Sequence, residues 1–102
     1  MNDTQGCDIN HTDAISSLDS ILIKFTTTGK ECDFGVTDTN SDSKITDCHK
    51  SLGSEYENRC ELQSLEPGTT YHLRIESKTD GAQANVSFST SKWQVLLENV
   101  LS

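Results

Sequence analysis

The sequence predicts an all-β domain, a seven-stranded antiparallel β-sandwich. Three observations predict it. Apolar and polar residues alternate over short segments, polar turn residues separate those segments at roughly even intervals, and no segment before residue 92 has helical periodicity. One apolar and one polar face per strand is what packed antiparallel sheets with a solvated side require.

The elements follow in chain order. Residues 1–12 are polar, with Cys7 and Ile9 as the buried candidates of a first strand. Residues 18–28 read L-D-S-I-L-I-K-F-T-T-T, where Ile21, Ile23 and Phe25 alternate among β-branched residues, and Gly29 ends the strand. Residues 32–38 put Cys32, Phe34 and Val36 on one face of a third strand. The polar run 38–44 is a loop, and residues 44–50 make a short edge strand around Ile45. After a second polar loop, Cys60 and Leu62 mark a strand over 58–63. Tyr71, Leu73, Ile75 and Ser77 alternate in the clearest strand pattern of the chain, Thr79-Asp80-Gly81 forms a turn, and Ala84, Val86, Phe88 and Thr90 alternate in the last strand. The domain is thus expected over residues 1–91. The segment 92–102 is set apart, because Trp93, Leu96, Leu97, Val100 and Leu101 fall on a helical stripe, as in a tail or the start of a following segment.

Composition limits the function classes. With 102 residues, 32% of them hydrophobic, the chain can fill one thin core but cannot enclose a large cavity. Its 16 acidic and 8 basic residues give a net charge of −8. Such a surface repels a phosphate backbone and an anionic membrane, which argues against nucleic-acid binding and against direct membrane insertion. No window approaches 18 apolar residues. The chain begins Met1-Asn2-Asp3 without a basic or apolar leader, so an extracellular protein of this sequence is expected to be a piece of a longer one.

Cys7, Cys32, Cys48 and Cys60 form no C-x-x-C pair, and His11, His49 and His72 lie at no zinc spacing. Four scattered cysteines in a small acidic chain read as two disulfides and therefore as an oxidising, extracellular compartment. By themselves they leave all three connectivities open. The sequons at Asn2, Asn10 and Asn85 point to the same compartment and are candidate glycosylation sites. Asn85 has the opposite parity to Val86, which turns it outward.

Residues 65–71, L-E-P-G-T-T-Y, followed by the alternating H-L-R-I-E-S, resemble the segment between the fifth and sixth strands of fibronectin type III domains, within the immunoglobulin-like class. In that resemblance Pro67 and Gly68 turn the chain between the sheets. Tyr71 takes the place of the tyrosine corner, whose hydroxyl bonds to backbone upstream, and Leu65 lies buried beneath it. Phe25 stands where family members usually carry a tryptophan, and Phe34 where a tyrosine is common. The topology the resemblance implies brings Cys7 towards Cys32 and Cys48 towards Cys60.

No enzyme is expected. The chain has no G-x-S-x-G, no H-E-x-x-H and no glycine-rich phosphate loop, and no cofactor is implied. Asp38, Asn40 and Asp42 alternate as a calcium loop begins, but Ser43 stands where such a loop needs glycine and His49 where it needs glutamate, so a solvated turn is expected. The resemblance implies a recognition or spacer module of a cell-surface receptor or adhesion protein, as in the ectodomains of receptor-type tyrosine phosphatases. Its partners would be a protein ligand or neighbouring domains of the same receptor. Recognition would be noncovalent, through end loops or an exposed sheet face. The loop Lys78-Thr79-Asp80-Gly81 occupies the place where some family members carry R-G-D, although that tripeptide is absent here. The alternatives are an accessory linker domain of a secreted enzyme and a cytokine-receptor-like module. The latter usually carries W-S-x-W-S, which this chain lacks.

Overall fold

A computed structural model describes residues 6–29 and 31–92. They form eight strands and no helix: β1 (Ile9–Ser16), β2 (Ile21–Thr27), β3 (Phe34–Asp38), β4 (Ser43–Asp47), β5 (His49–Lys50), β6 (Glu57–Leu62), β7 (Thr70–Ser77) and β8 (Gln83–Ser89). They make two antiparallel four-stranded sheets, ordered β1-β2-β6-β5 and β4-β3-β7-β8. The helical stripe expected in the tail lies outside the described residues.

The sheets face each other across one core. β2 contributes Ile21, Ile23 and Phe25, and β6 adds Cys60 and Leu62, while Phe34, Val36, Leu73 and Ile75 come from β3 and β7. Alternation puts each set on one side of its sheet, and registers such as Ile23 opposite Cys60 and Val36 opposite Ile75 align the inward rows. Phe25 and Phe34 meet across the layers edge to face, with centroids 4.9 Å apart and planes at 82°, a favoured aromatic arrangement. Both rings, placed on the apolar faces of their strands by alternation, are buried.

The strand count corrects the sequence reading. The fourth expected strand, a single edge strand over 44–50, is two strands in different sheets. β4 pairs with β3, the Cys48 amide still donates to the Phe34 carbonyl (2.9 Å), and at His49 the chain crosses over to pair with Arg59 of β6. A crossing at Cys48 needs no glycine or proline, because both strands are extended and only their partners change. The first strand is also displaced: it runs to Ser16 and starts after Cys7. A register shift between Asn10 and Asp13, with His11 at φ 53°, reverses the parity. Ile9 and Ala14 therefore turn towards the core and Ile15, six residues from Ile9, turns out to solvent at 59% exposure.

Candidate recognition surface

The structure joins Cys7 to Cys32 and Cys48 to Cys60, with Cα separations of 6.0 and 4.3 Å. Each bond ties one sheet to the other. Cys7 leads into β1 and Cys32 into β3; Cys48 leaves β4, and Cys60 lies on β6. None of these four sulfurs is a free thiol, so none serves as a nucleophile or a thiolate metal ligand in this form.

The segment before β7 is closed by side chains. The Tyr71 hydroxyl accepts from the Glu66 amide at 2.8 Å, a tie from the strand back to the backbone upstream. Gly68 sits at φ 62°, where a side chain is disfavoured, directly after Pro67. Buried Thr90 completes the closure: its hydroxyl donates to the Glu66 carbonyl (2.6 Å) and accepts from the Thr69 amide (3.0 Å). Sequence alternation places Thr90 only in the apolar row of the last strand; its hydroxyl chemistry depends on a neighbour 24 residues away that no local pattern reveals. Leu65, expected to be buried, is only half-buried against the core, because the open end of the two layers leaves one side of it to solvent.

The loop Lys78-Thr79-Asp80-Gly81 is exposed, but its polar groups are largely committed within the domain. Asp80 accepts from the amides of Ala82 (3.1 Å) and Cys7 (3.0 Å), and these backbone bonds, the Ala82 one foremost, hold its carboxyl below the usual carboxylate range. The Thr79 hydroxyl accepts from the Asp33 amide at 3.2 Å, and Gly81 takes φ 80°. The Lys78 ammonium bonds to Asp47, which also binds Lys44 at 2.8 Å. Two ammonium groups on one carboxylate, Lys44 first and then Lys78, lower the Asp47 pKa to about 2, and the same contact raises that of Lys78. This loop therefore braces the Cys7–Cys32 end of the molecule.

The turn after β3 is held in the same way. Asp38 accepts from the Asn40 amide (2.9 Å) and Asp42 pairs with Arg74 (3.1 Å), so two of the three alternating groups are engaged by protein. Among the described residues no cluster of three or more His, Cys, Asp or Glu side chains is placed to hold a metal.

The outer face of β1-β2-β6-β5 has a different character. Ile15 lies directly across from Leu22, and Leu22 and Leu52 border a shallow hollow of ≈300 Å³ that is also lined by His49, Lys50, Arg59 and Glu61. Leu52 is fully exposed. Three aliphatic side chains and three basic or imidazole groups thus share one face of an acidic domain. The bulge in β1 and the crossing at Cys48 create this grouping by turning Ile15 outward and bringing His49 beside Arg59. Sequence alternation alone does not reveal either event. Exposed aliphatic residues gathered on one face, unlike scattered ones, make this face the candidate contact surface.

Asn10 and Asn85 are both exposed, Asn10 opposite Thr26 on one outer face and Asn85 opposite Arg74 on the other. Asn2 lies outside the described residues. Compared with protein-family models, with curated proteins and with solved structures, the chain finds no match.

Proposed function

We propose that this chain is an extracellular recognition module with a fibronectin type III-like sandwich, carried by a cell-surface receptor or adhesion protein. The strand orders β1-β2-β6-β5 and β4-β3-β7-β8 support the immunoglobulin-like class to which that fold belongs: they correspond to an ABED sheet facing CFG with one added edge strand. The Tyr71 tie to Glu66 supports it as well. Two disulfides in a domain of this size fit an oxidising compartment.

The observation that carries the binding role is the patch formed by Ile15, Leu22 and Leu52 beside Lys50 and Arg59. Its mixture of apolar centre and basic rim fits a protein surface with exposed aliphatic groups and acidic neighbours. The end loop at Lys78–Gly81 is less suited, since adapting to a ligand would break the bonds that Asp80 and Thr79 make inside the domain.

The test is binding of the tetramerised domain to a panel of cell surfaces, read by flow cytometry, beside the variant I15D/L52D. Both positions are exposed, so the variant keeps its fold. Staining that the double variant loses supports recognition through this face. A folded wild-type domain that stains no cell type supports the spacer role instead.

A further inference from the structure

Three of the four sheet edges carry features that discourage another strand from adding to them. β1 has its bulge and Asp13, β4 has a register shift against β3 together with Lys44 and Asp47, and β5 is two residues long with Lys50. β8 has none of these. Gln83–Ser89 reads Q-A-N-V-S-F-S, without charge or proline, and pairs with β7 at seven consecutive positions without a bulge.

The backbone groups on its open side can be assigned. At one end of the ladder the Ser77 amide donates to the Ala82 carbonyl, and at the other the Thr90 amide donates to Thr69. Both bonds fall in the same phase of the antiparallel alternation. Ala84, Val86 and Phe88 therefore direct their amide and carbonyl groups at β7, and Gln83, Asn85, Ser87 and Ser89 direct theirs away from the sheet. β8 is the last strand of its sheet, so no strand among the described residues accepts them. A bulge-free, uncharged edge with four residues presenting open backbone groups is a template for a further strand.

Asn85 is the third of the seven β8 residues, exposed on the outer face, and begins the sequon Asn85-Val86-Ser87. We infer that Asn85 carries an N-linked glycan and that this glycan is what keeps β8 from pairing with β8 of a second copy. The inference rests on the extracellular reading, since the co-reactant is a lipid-linked diphosphate oligosaccharide of the secretory pathway. Asn85 Nδ2 bonds to the anomeric carbon of that sugar, the carbon–oxygen bond to the diphosphate breaks, the amide proton passes to a base of the transferase, and the lipid diphosphate leaves. A bulky, hydrated sugar rooted at the middle of the edge occupies the space a neighbouring strand would take. Without it, two β8 strands pair antiparallel about a two-fold axis into one continuous sheet. The sequon at Asn10 has no such task, because the bulge beside it already interrupts β1.

The experiment is intact mass of the protein from a mammalian secretory host, with and without reduction, followed by sedimentation velocity across a concentration series. Wild type, N10Q, N85Q, S87A and N85Q/S87K are compared. The expected result is two disulfides, an occupied Asn85, a monomer for wild type and N10Q, and twice that mass for both N85Q and S87A. N85Q/S87K returns to a monomer, because a lysine on the edge replaces the sugar as the obstacle. S87A keeps the asparagine and removes only the sequon, so dimers in both single variants trace to the missing glycan rather than to altered folding. An unmodified Asn85 in a protein with both disulfides formed overturns the inference and leaves the extracellular reading standing. N85Q and S87A that stay monomeric at the highest concentration also overturn it, and four free thiols overturn both.

Discussion

The four central strands and the four edge strands of this domain differ in how they are held. Every buried strand residue belongs to β2, β3, β6 or β7. The edges β1, β4 and β8 offer only half-buried groups such as Ile9, Ala14, Ile45, Val86 and Phe88, and β5 is exposed throughout. The difference teaches where stability and function can be separated. Full burial of one large apolar side chain contributes about 1.5–3 kcal/mol, against a total of only about 5–15 kcal/mol for a whole domain. The centre thus tolerates little change. Ile15, Leu52, Asn10 and Asn85 lie on edges or in the loop beyond them, and the patch residues Leu22 and Arg59 use only the outer, solvent-facing side of central strands.

The most severe way to test this division is to empty the contact between the layers. Phe34→Ala removes one ring of the Phe25–Phe34 pair and is expected to cost about 3–5 kcal/mol. Phe88→Ala, at the half-buried edge, is expected to cost roughly half as much. Urea unfolding midpoints measure both. Equal losses would mean that the edge carries as much of the core as the centre.

The disulfides come next, because each anchors an edge to the centre. Cys7 precedes edge strand β1 and Cys32 precedes central β3; Cys48 lies between edges β4 and β5, and Cys60 lies on central β6. Their sequence separations are 25 and 12. On the chain-entropy account these separations correspond to about 3.5 and about 2.8 kcal/mol. C7S/C32S should therefore unfold at lower urea than C48S/C60S. The reverse order would show that fastening the crossing at Cys48 matters more than the length of loop closed.

The same division explains what could be read from sequence. A central strand buried on one face alternates strictly, so Ile21-x-Ile23-x-Phe25 and Leu73-x-Ile75 announced themselves. The edges did not. In β1 the bulge at His11 breaks the parity that connects Ile9 to Ile15, and in S-K-I-T-D-C-H-K nothing marks the change of partner at Cys48. The candidate site follows suit. The cysteines and the P-G-T-T-Y segment were legible because residue type and spacing carry their chemistry. The patch of Ile15, Leu22 and Leu52 was not, because three segments meet there only through sheet register. The pairing of Asp47 with Lys78 was hidden for the same reason, being 31 residues apart.

Tyr71 offers a finer test, since it stands on a central strand but holds a loop. Tyr71→Phe keeps the ring and leaves the Glu66 amide, which is exposed, to water. A loss of about 1 kcal/mol is expected, together with faster amide exchange at Glu66. A variant that unfolds like wild type and exchanges no faster would show that the backbone turn at Pro67–Gly68 closes this end without the hydroxyl.

Asp47 should give the smallest effect, because its two bonds lie at the surface of edge strand β4. Its folded pKa is about 2, below the 3.8 of the free side chain, through the ammonium groups of Lys44 and Lys78. A depressed carboxylate pKa stabilises the fold at pH values above 3.8, and that contribution disappears as pH falls through about 2. The comparison is therefore between wild type and Asp47→Asn, unfolded by urea at pH 6 and again near pH 2. The variant should be slightly less stable at pH 6, most of that gap should be gone near pH 2, where the folded carboxyl is half protonated, and added salt should narrow the gap at pH 6 as it screens an exposed pair. A gap as large near pH 2 as at pH 6 would mean that Asp47 acts through its packing on Gly35 and β3 rather than through its charge, and an edge residue would then belong with the centre.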